Sequence, residues 1–365
     1  MKAVILAGGF GTRLRPLSCT RPKLLFPIAN RPLLDWTLES LSNSGVDEVV
    51  LAVSYMAYEL ERYFGPSKYD VKIFYSFERR PLGTAGAVKK AKELVGDDET
   101  FLVLNGDVLC KINYRDILKI HKKHGASVTM ALCEVPDPSR FGVVEIGDGD
   151  QIRKFVEKPK LEEAPSKLIN MGIYTIEPEI LKLIPTDAKI SIEREIFPDL
   201  AREGKMYGYR YEGSWGDVGK PEDYVLTNNE FLDQIAKSEA IIGKGVHIHE
   251  KAKIVPPSII GDNVEIEEEA IVGPYVSIGE GSVIKKGCRI ERSIIFPKAW
   301  IDNFSSIHSA IIGAGAVIGQ WVKIEKNVIV GDNAVIYDNV TLTQEVKVCP
   351  SKDVEESILG PKQVM

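Results

Sequence analysis

Three glycines within four positions, Gly8, Gly9 and Gly11, follow an apolar run over residues 2–7, and two cations, Arg13 and Lys23, come soon after. Without Cβ atoms, such a turn lets an anion reach the backbone. Its successive N–H groups can converge into a nest for negative charge. Arg13 offers a rigid fork of donors that suits phosphate oxygens, and Lys23, directly after Pro22, adds a point charge. The chemistry open to these residue types is the holding of a phosphate chain. Two familiar phosphate loops are excluded. A G-x-G-x-x-G fingerprint begun at Gly9 meets Leu14 at its third glycine, and no Gly-Lys-Ser/Thr follows. The simpler alternative is a tight strand-to-loop turn, with Arg15 and Arg21 as solvated surface side chains. Asp107 and Asp217 each follow a glycine. A lone Gly-Asp pair reads first as a turn whose carboxylate caps its own backbone.

These residues need elements to hold them. Residues 2–7, 48–53, 71–75, 100–104 and 127–133 read as strands, and 32–44, 58–64, 84–94 and 114–124 as helices. That alternation predicts a parallel sheet with helices on both faces. Ligands in such a sheet bind beyond the carboxyl ends of the strands, where the glycine loop and the Asn105-Gly106-Asp107 turn both fall. From 141 the pattern is strand-rich. Runs 142–146 and 152–156 flank Gly147-Asp148-Gly149-Asp150, a hairpin signal. Runs 169–176 and 207–211 are further strands. Residues 192–202 read as a helix capped by Ser191, and 221–235 as the helix that leads out of a first domain.

A second domain is marked by its period. Ile242, Ile248, Ile254, Ile260, Ile266, Val272, Ile278, Ile284 and Ile290 are six apart, and the step resumes over Ile312, Ile318, Ile324, Val330, Ile336 and Leu342. Small or β-branched residues keep a companion series, among them Val246, Ala252, Val264, Ala270, Val276 and Cys288. A sustained six-residue repeat is the mark of a parallel β-helix, in which one aliphatic side chain per short strand stacks into a continuous core. The interval from Ile290 to Ile312 is not a multiple of six, which predicts a loop or bulge leaving the coil near 293–309. The tail 350–365 breaks the repeat and is expected to cap the last coil.

Composition narrows the class. The chain has 365 residues, 44% of them hydrophobic and 27% charged, with a net charge of −6. That is ordinary for a globular protein long enough for two domains, and it argues against a general nucleic-acid surface. Anionic substrates must therefore be held by a local cationic site, not by the overall field. The opening MKAVILAGG is too soon broken by glycine for a signal peptide, and no apolar run approaches the ~20 residues of a membrane span. Five widely spaced cysteines suggest neither a disulfide framework nor a zinc site, so a reducing cytoplasm is expected.

The string Leu6-Ala7-Gly8-Gly9-Phe10-Gly11-Thr12-Arg13-Leu14-Arg15-Pro16, with Arg21-Pro22-Lys23 after it, resembles the nucleotide-binding loop of the sugar-1-phosphate nucleotidyltransferases. Further strings match in order: Pro81-Leu82-Gly83-Thr84-Ala85-Gly86, Asn105-Gly106-Asp107, Phe141-Gly142-Val143-Val144, Phe155-Val156-Glu157-Lys158-Pro159, Asn170-Met171-Gly172-Ile173-Tyr174 and Trp215-Gly216-Asp217-Val218-Gly219. The resemblance implies a Rossmann-like α/β catalytic domain with a mixed, mainly parallel sheet over 1–235, and a left-handed parallel β-helix over 236–365. It implies that a sugar-1-phosphate oxygen attacks the α-phosphorus of a nucleoside triphosphate and pyrophosphate leaves. Two unit charges ~4 Å apart repel by about 4 kcal/mol at an effective dielectric of 20, so the protein's task is to supply cations and in-line positioning.

The same resemblance distributes the roles. Asp107 and Asp217 become ligands for Mg²⁺, Arg13 a partner of the departing pyrophosphate, Lys23 a bridge between the phosphates, and Lys158 the holder of the sugar phosphate. Leu6, Ala7, Gly8, Gly9, Gly11 and Thr12, with Leu82, Gly83 and Thr84, would surround the nucleotide. Gly142, Glu157, Asn170 and Gly172 would meet the hexose. Runs 51–56, 81–86 and 191–198 look most like mannose-1-phosphate guanylyltransferases, which points to GTP and mannose-1-phosphate. Glucose-1-phosphate with dTTP or UTP is the alternative pair. Added acetyl transfer, with His308 as base, is another reading, and a non-catalytic scaffolding homologue a third. The β-helix is expected to serve homo-oligomer assembly.

Overall fold

The computed structural model describes residues 1–365 except Val95, Asp97, Asp98 and Asp187. By its contacts the chain forms two compact units. One comprises Met1–Phe10 with Leu34–Trp215, the other Gly11–Leu33 with Gly216–Met365.

The first unit is built around strand β1 (Lys2–Ala7), whose Ala3, Val4 and Ile5 are fully buried. Helix α1 (Leu33–Asn43) leads to β2 (Glu48–Val53), α2 (Ala57–Phe64) to β3 (Val71–Phe77), and α3 (Gly83–Lys92) to β4 (Phe101–Asn105). These strands lie parallel in the order β4-β1-β2-β3, with Leu6 opposite both Asn105 and Ala52. Helix α4 (Tyr114–His124) is closed at its start by the Asn113 side chain and at its end by left-handed Gly125. It leads to β5 (Val128–Glu134). The hairpin β6 (Gly142–Ile146) and β7 (Ile152–Glu157) then pairs antiparallel, as its turn signal predicts. Strand β8 (Leu168–Ile176) runs antiparallel to β4, β5 and β6, and β9 (Met206–Arg210) runs parallel to β5. The sheet is therefore mixed. Its parallel centre reflects the βα alternation, and its antiparallel flank the strand-rich stretch after 141. Ala85, Ala87, Val88 and Ala91 of α3 share one core with Val4, Val50 and Ala52. Small side chains there let the helix sit close above the mouth of β1.

One expected helix divides. Residues 192–196 form a wider π-type turn before α5 (Phe197–Arg202), and the Ser191 hydroxyl accepts from the Arg194 amide at 3.3 Å. Pro198, early in α5, supplies no amide for a bond back to the preceding turn.

In the second unit, Gly11–Leu33 makes three single 3-10 turns and a small hairpin, Pro27–Ile28 with Arg31–Pro32. Helix α6 (Pro221–Ile235) begins on a proline whose missing amide costs nothing there. Phe26, Tyr224 and Phe296 pack in tilted and T-shaped pairs with ring centroids 5.5–6.5 Å apart. The Tyr224 hydroxyl donates to the Pro27 carbonyl at 2.6 Å, and the Ala29 amide to Asn228 Oδ1 at 2.9 Å.

From Ile241 onward the chain winds a left-handed parallel β-helix. Its strands of two or three residues stack, among the described residues, into three parallel sheets of eight, seven and six. The six-residue aliphatics form its core: Ile260, Ile266, Val272, Ile278, Ile284 and Ile290 are at most 2% exposed. Burying each such side chain contributes about 1.5–3 kcal/mol.

No loop leaves the coil near 293–309. The coil shortens there instead, so partners lie seventeen apart (Ile278 with Ile295, Ile290 with Ile307, Ile307 with Ile324) before eighteen returns at Ile312 with Val330. Two corners, between Ile290 and Ile295 and between Ile307 and Ile312, are one residue short, and in this region buried hydroxyls bond the backbone of the next coil. Ser282, Ser293 and Ser305 accept from the amides of Ala299, Ala310 and Val322 at 3.0–3.2 Å. The tail also departs from expectation. Asp353–Val354 and Gln363–Val364 pair with Val335–Ile336 and Lys347–Val348, so 350–365 winds a further coil.

Candidate functional site

At the mouth of β1, the Ser54 hydroxyl donates to the Gly8 carbonyl at 2.6 Å. A Cβ on Gly8 would stand 3.2 Å from Ser54 Oγ and 3.4 Å from Glu78 Oε1. The other oxygen of Glu78 accepts from the Leu82 amide at 3.1 Å. Gly8 and the Leu82-Gly83-Thr84 turn thus line one place, with Glu78 linking them. Burial raises the Glu78 carboxyl above the ordinary glutamate value, against the pull of the Leu82 amide. Gly83 has φ +71°, and a Cβ there would run into the Ile190 carbonyl oxygen. The turn is fastened to that segment by Ala85 N to Ile190 O and Ile190 N to Leu82 O, both 3.0 Å. Thr84 Oγ1 donates to Glu193 at 2.6 Å and accepts from the Ile192 amide at 2.9 Å.

Beside this place, the Gly106 amide donates to the Leu6 carbonyl at 3.0 Å, which sets Asp107 just past the paired ends of β1 and β4. Gly172 (φ +77°) lies on the Asn105 side chain, whose Nδ2 a Cβ would approach to 2.6 Å. Asn170 Oδ1 accepts from the Gly172 amide at 2.8 Å, and its Nδ2 donates to the Tyr174 hydroxyl at 2.7 Å. Lys158 Nζ stands 3.3 Å from Glu157 Oε1, and a Cβ on Gly142 would come within 3.0 Å of Glu157 Oε2. Burial raises Glu157 as well, with Lys158 opposing. The Tyr174 hydroxyl is pushed well above its usual value by full burial, reinforced by the negative charge of Glu193, Glu157 and Asp107. Within the first unit, then, Gly142 and Lys158 both meet Glu157, Asn170 meets Gly172 and Tyr174, and Gly172 meets Asn105, two residues before Asp107.

Ala7 and Gly9 belong to the first unit, and the second holds Gly11, Thr12, Arg13, Lys23 and Asp217. Gly11 takes a left-handed conformation (φ +58°), and a Cβ there would meet the stems of Ser18 and Lys23 at 3.2 and 3.9 Å. The Ser18 hydroxyl donates to the Gly11 carbonyl at 2.7 Å. Thr12 and Arg13 follow in a 3-10 turn. A Cβ on Gly219 would stand 3.3 Å from Asp217 Oδ2 and 3.6 Å from Arg13 Nη2, so both groups border the same glycine. Arg15 is exposed, as a surface residue should be. Arg21 is not: its side chain is 22% exposed and pairs with Asp332. His308 sits exposed on a β-helix strand with Glu291 of the neighbouring coil on its Nδ1.

Two carboxylates that contact these turns, Glu78 and Glu193, were not singled out from the sequence. Each stands directly beside other charged residues, Arg79 and Arg80 or Arg194 and Glu195, and such charged runs read as solvated surface. The available signal was their neighbourhood, four residues before Leu82 and two after Ser191. Among the described residues no three His, Cys, Asp or Glu side chains form a metal cluster. Asp107 lies in the first unit and Asp217 in the second, and each offers hard carboxylate oxygen, the donor type that Mg²⁺ takes.

Known proteins resemble this chain over its whole length. The nucleotidyl transferase family matches residues 2–234, and the GMPPB C-terminal domain matches residues 254–364. Mannose-1-phosphate guanylyltransferase catalytic subunit beta of Dictyostelium discoideum is 40% identical over 369 residues, covering all of both chains. The Danio rerio protein of the same name is 39% identical, also over all of both chains. The crystal structure of HddC from Yersinia pseudotuberculosis superposes with a TM-score of 0.55 at 29% identity, over 63% of this chain and 99% of that one. A UDP-glucose pyrophosphorylase at 24% identity and TM-score 0.58 shares the fold over 64% of this chain and 98% of that one. With a family match over most of its length and full-length relatives near 40% identity, this chain belongs to the nucleotidyl transferase family.

Proposed function

We propose that this enzyme transfers a guanylyl group from GTP to mannose-1-phosphate, forming GDP-mannose and releasing pyrophosphate. The full-length match to proteins named mannose-1-phosphate guanylyltransferase carries the reading. The site supports it. A phosphate oxygen of the sugar bonds to the α-phosphorus as the bond to the β-phosphate breaks, so no protein nucleophile is needed. Lys158 meets the sugar phosphate. Glu157, Asn170 and the exposed backbone at Gly142 and Gly172 take the hexose hydroxyls as donors and acceptors. Gly8, Gly9, Gly11 and Thr12 give the triphosphate backbone amides, while Arg13 and Lys23 offset its charge. Glu78 faces the base: guanine presents two adjacent N–H donors on one edge, and an ionised carboxylate accepts both. Asp107 and Asp217 would hold Mg²⁺, which when bound neutralises phosphate charge.

We also take 1–235 as the catalytic domain and 236–365 as an assembly domain that makes a homo-oligomer. Ile242 and Ile248 of the first coil are 44% and 38% exposed at positions that later coils seal. Among the described residues no helix is long and apolar enough to cross a membrane, and all five cysteines are free, which supports a cytoplasmic site of action. The test is pyrophosphate release from GTP, ATP, UTP and dTTP paired with mannose-1-phosphate or glucose-1-phosphate, with and without Mg²⁺. Turnover with GTP and mannose-1-phosphate is expected to dominate. Turnover confined to glucose-1-phosphate with dTTP or UTP would replace the reading.

A further inference from the structure

Asp332 is one of three aspartates that hold corners of the β-helix in the same way. Asp262, Asp332 and Asp338 each turn Oδ1 to the amide eighteen residues earlier, on Lys244, Ala314 and Gln320, at 2.7–2.8 Å. Asp262 and Asp338 are otherwise exposed. Asp332 is 5% exposed, because its second oxygen leaves the repeat. Oδ2 accepts from Thr20 Oγ1 at 2.8 Å and from Arg21 Nη2 at 2.6 Å. The Arg21 guanidinium also lies 4.7 Å above the Phe296 ring. Neither contact is needed to wind a coil, since the other two corners do without them. They fall on a segment with little regular structure of its own. Between Arg21 and Lys23 stands Pro22, at φ −67°, so the place of the anchored guanidinium passes to Lys23 through a stiff link.

We propose that Asp332 is a positioning residue for nucleotidyl transfer: through Thr20 and Arg21 it holds the segment that carries Arg13 and Lys23. The inference rests on the proposed role of those two cations. Removing one partner of a buried pair leaves the other charge uncompensated, and a displacement near 1 Å at a reacting group costs as much as about a hundredfold in rate.

The test compares Asp332→Asn with Asp338→Asn in the full chain. Asparagine keeps the corner acceptor in both, and only at 332 does it remove charge from beside a partly buried guanidinium. Two readouts are taken, kcat/KM for GTP and hydrogen exchange of amides 11–33. In Asp332→Asn, kcat/KM is expected to fall about tenfold to a hundredfold, with faster exchange over 11–33. Asp338→Asn should match the wild type in both. Thr20→Val, which leaves the corner untouched, should raise exchange in the same segment and lower kcat/KM less, by about two- to tenfold. The double variant Arg21→Gln with Asp332→Asn should be no worse than the poorer single one. Wild-type exchange and kinetics in Asp332→Asn, or equal damage in Asp338→Asn, would overturn the proposal. Full activity in Lys23→Ala would instead strike the role of the cation, and the exchange data would still decide whether Asp332 anchors the segment.

Discussion

Replacing Glu78 by glutamine separates the reading of the base from the rest of the site. One oxygen of Glu78 is committed to the Leu82 amide, and the other faces the Gly8 wall. Glutamine can keep the first bond through its carbonyl. It turns an NH₂ toward the guanine edge, where two donors then oppose a donor. A hydrogen bond to a charged group is worth about 1.5–3 kcal/mol, or about tenfold to 150-fold in kcat/KM at 1.4 kcal/mol per decade. Because Glu78 is only half-buried, the lower end, about tenfold, is the expected loss for GTP. Adenine offers one donor and one acceptor, which a carboxamide matches, so the gap between GTP and ATP should narrow. Stability should move the other way. Burial raises the folded carboxyl above its unfolded value, so the folded chain binds the proton more readily. Ionised Glu78 therefore opposes folding above that raised pKa, and the opposition fades as pH falls through it. The glutamine variant should melt no lower than the wild type near neutral pH. In the wild type, kcat/KM for GTP should fall at a pH above the ordinary glutamate range. An unchanged GTP-to-ATP ratio in a pyrophosphate-release assay would refute the assignment.

Asp107→Ala is expected to lower turnover at least about a thousandfold, and chelation of Mg²⁺ should silence the wild type; near-normal rates in either experiment would remove the metal assignment. Gly83→Ala forces a side chain into a left-handed position against the Ile190 backbone. Strain of about 1–2 kcal/mol and overpacking of about 1–3 kcal/mol should together cost about 2–5 kcal/mol in denaturant unfolding. Gly9→Ala, with nothing within 4 Å of its Cβ, should be near neutral by the same measurement. His308→Ala should leave guanylyl transfer unchanged, and neither protein should turn over acetyl-CoA; an acetyl transfer lost on that substitution would show a second activity.

The residues legible in the sequence were those whose neighbours constrain them. The apolar run before Gly8 can only be a buried strand, and its parallel partners follow from the alternation of helices. The six-residue ladder of isoleucines predicts a β-helix because no other arrangement seals them all. Legibility failed where a single residue changes role without changing type. The shortened coils after Ile290 keep their core spacing by dropping a corner residue, which a count of six cannot follow, and Ser293 looks like any turn serine. Arg21 reads as a surface charge, since nothing local shows a partner 311 residues away. Gly11–Leu33 carries no period at all, so its place in the second unit had no pattern to announce it.

That last separation sets an order of events during translation. Arg21 leaves the ribosome 311 residues ahead of Asp332. At about 5–20 residues per second, roughly 15–60 s pass between them. Through that interval Ser18, Tyr224 and Asn228 can already hold parts of 11–33, and the tether from Asp332 to Thr20 and Arg21 is still to come. If Asp332 positions the segment as proposed, nascent chains that stall before it should lack this one fastening.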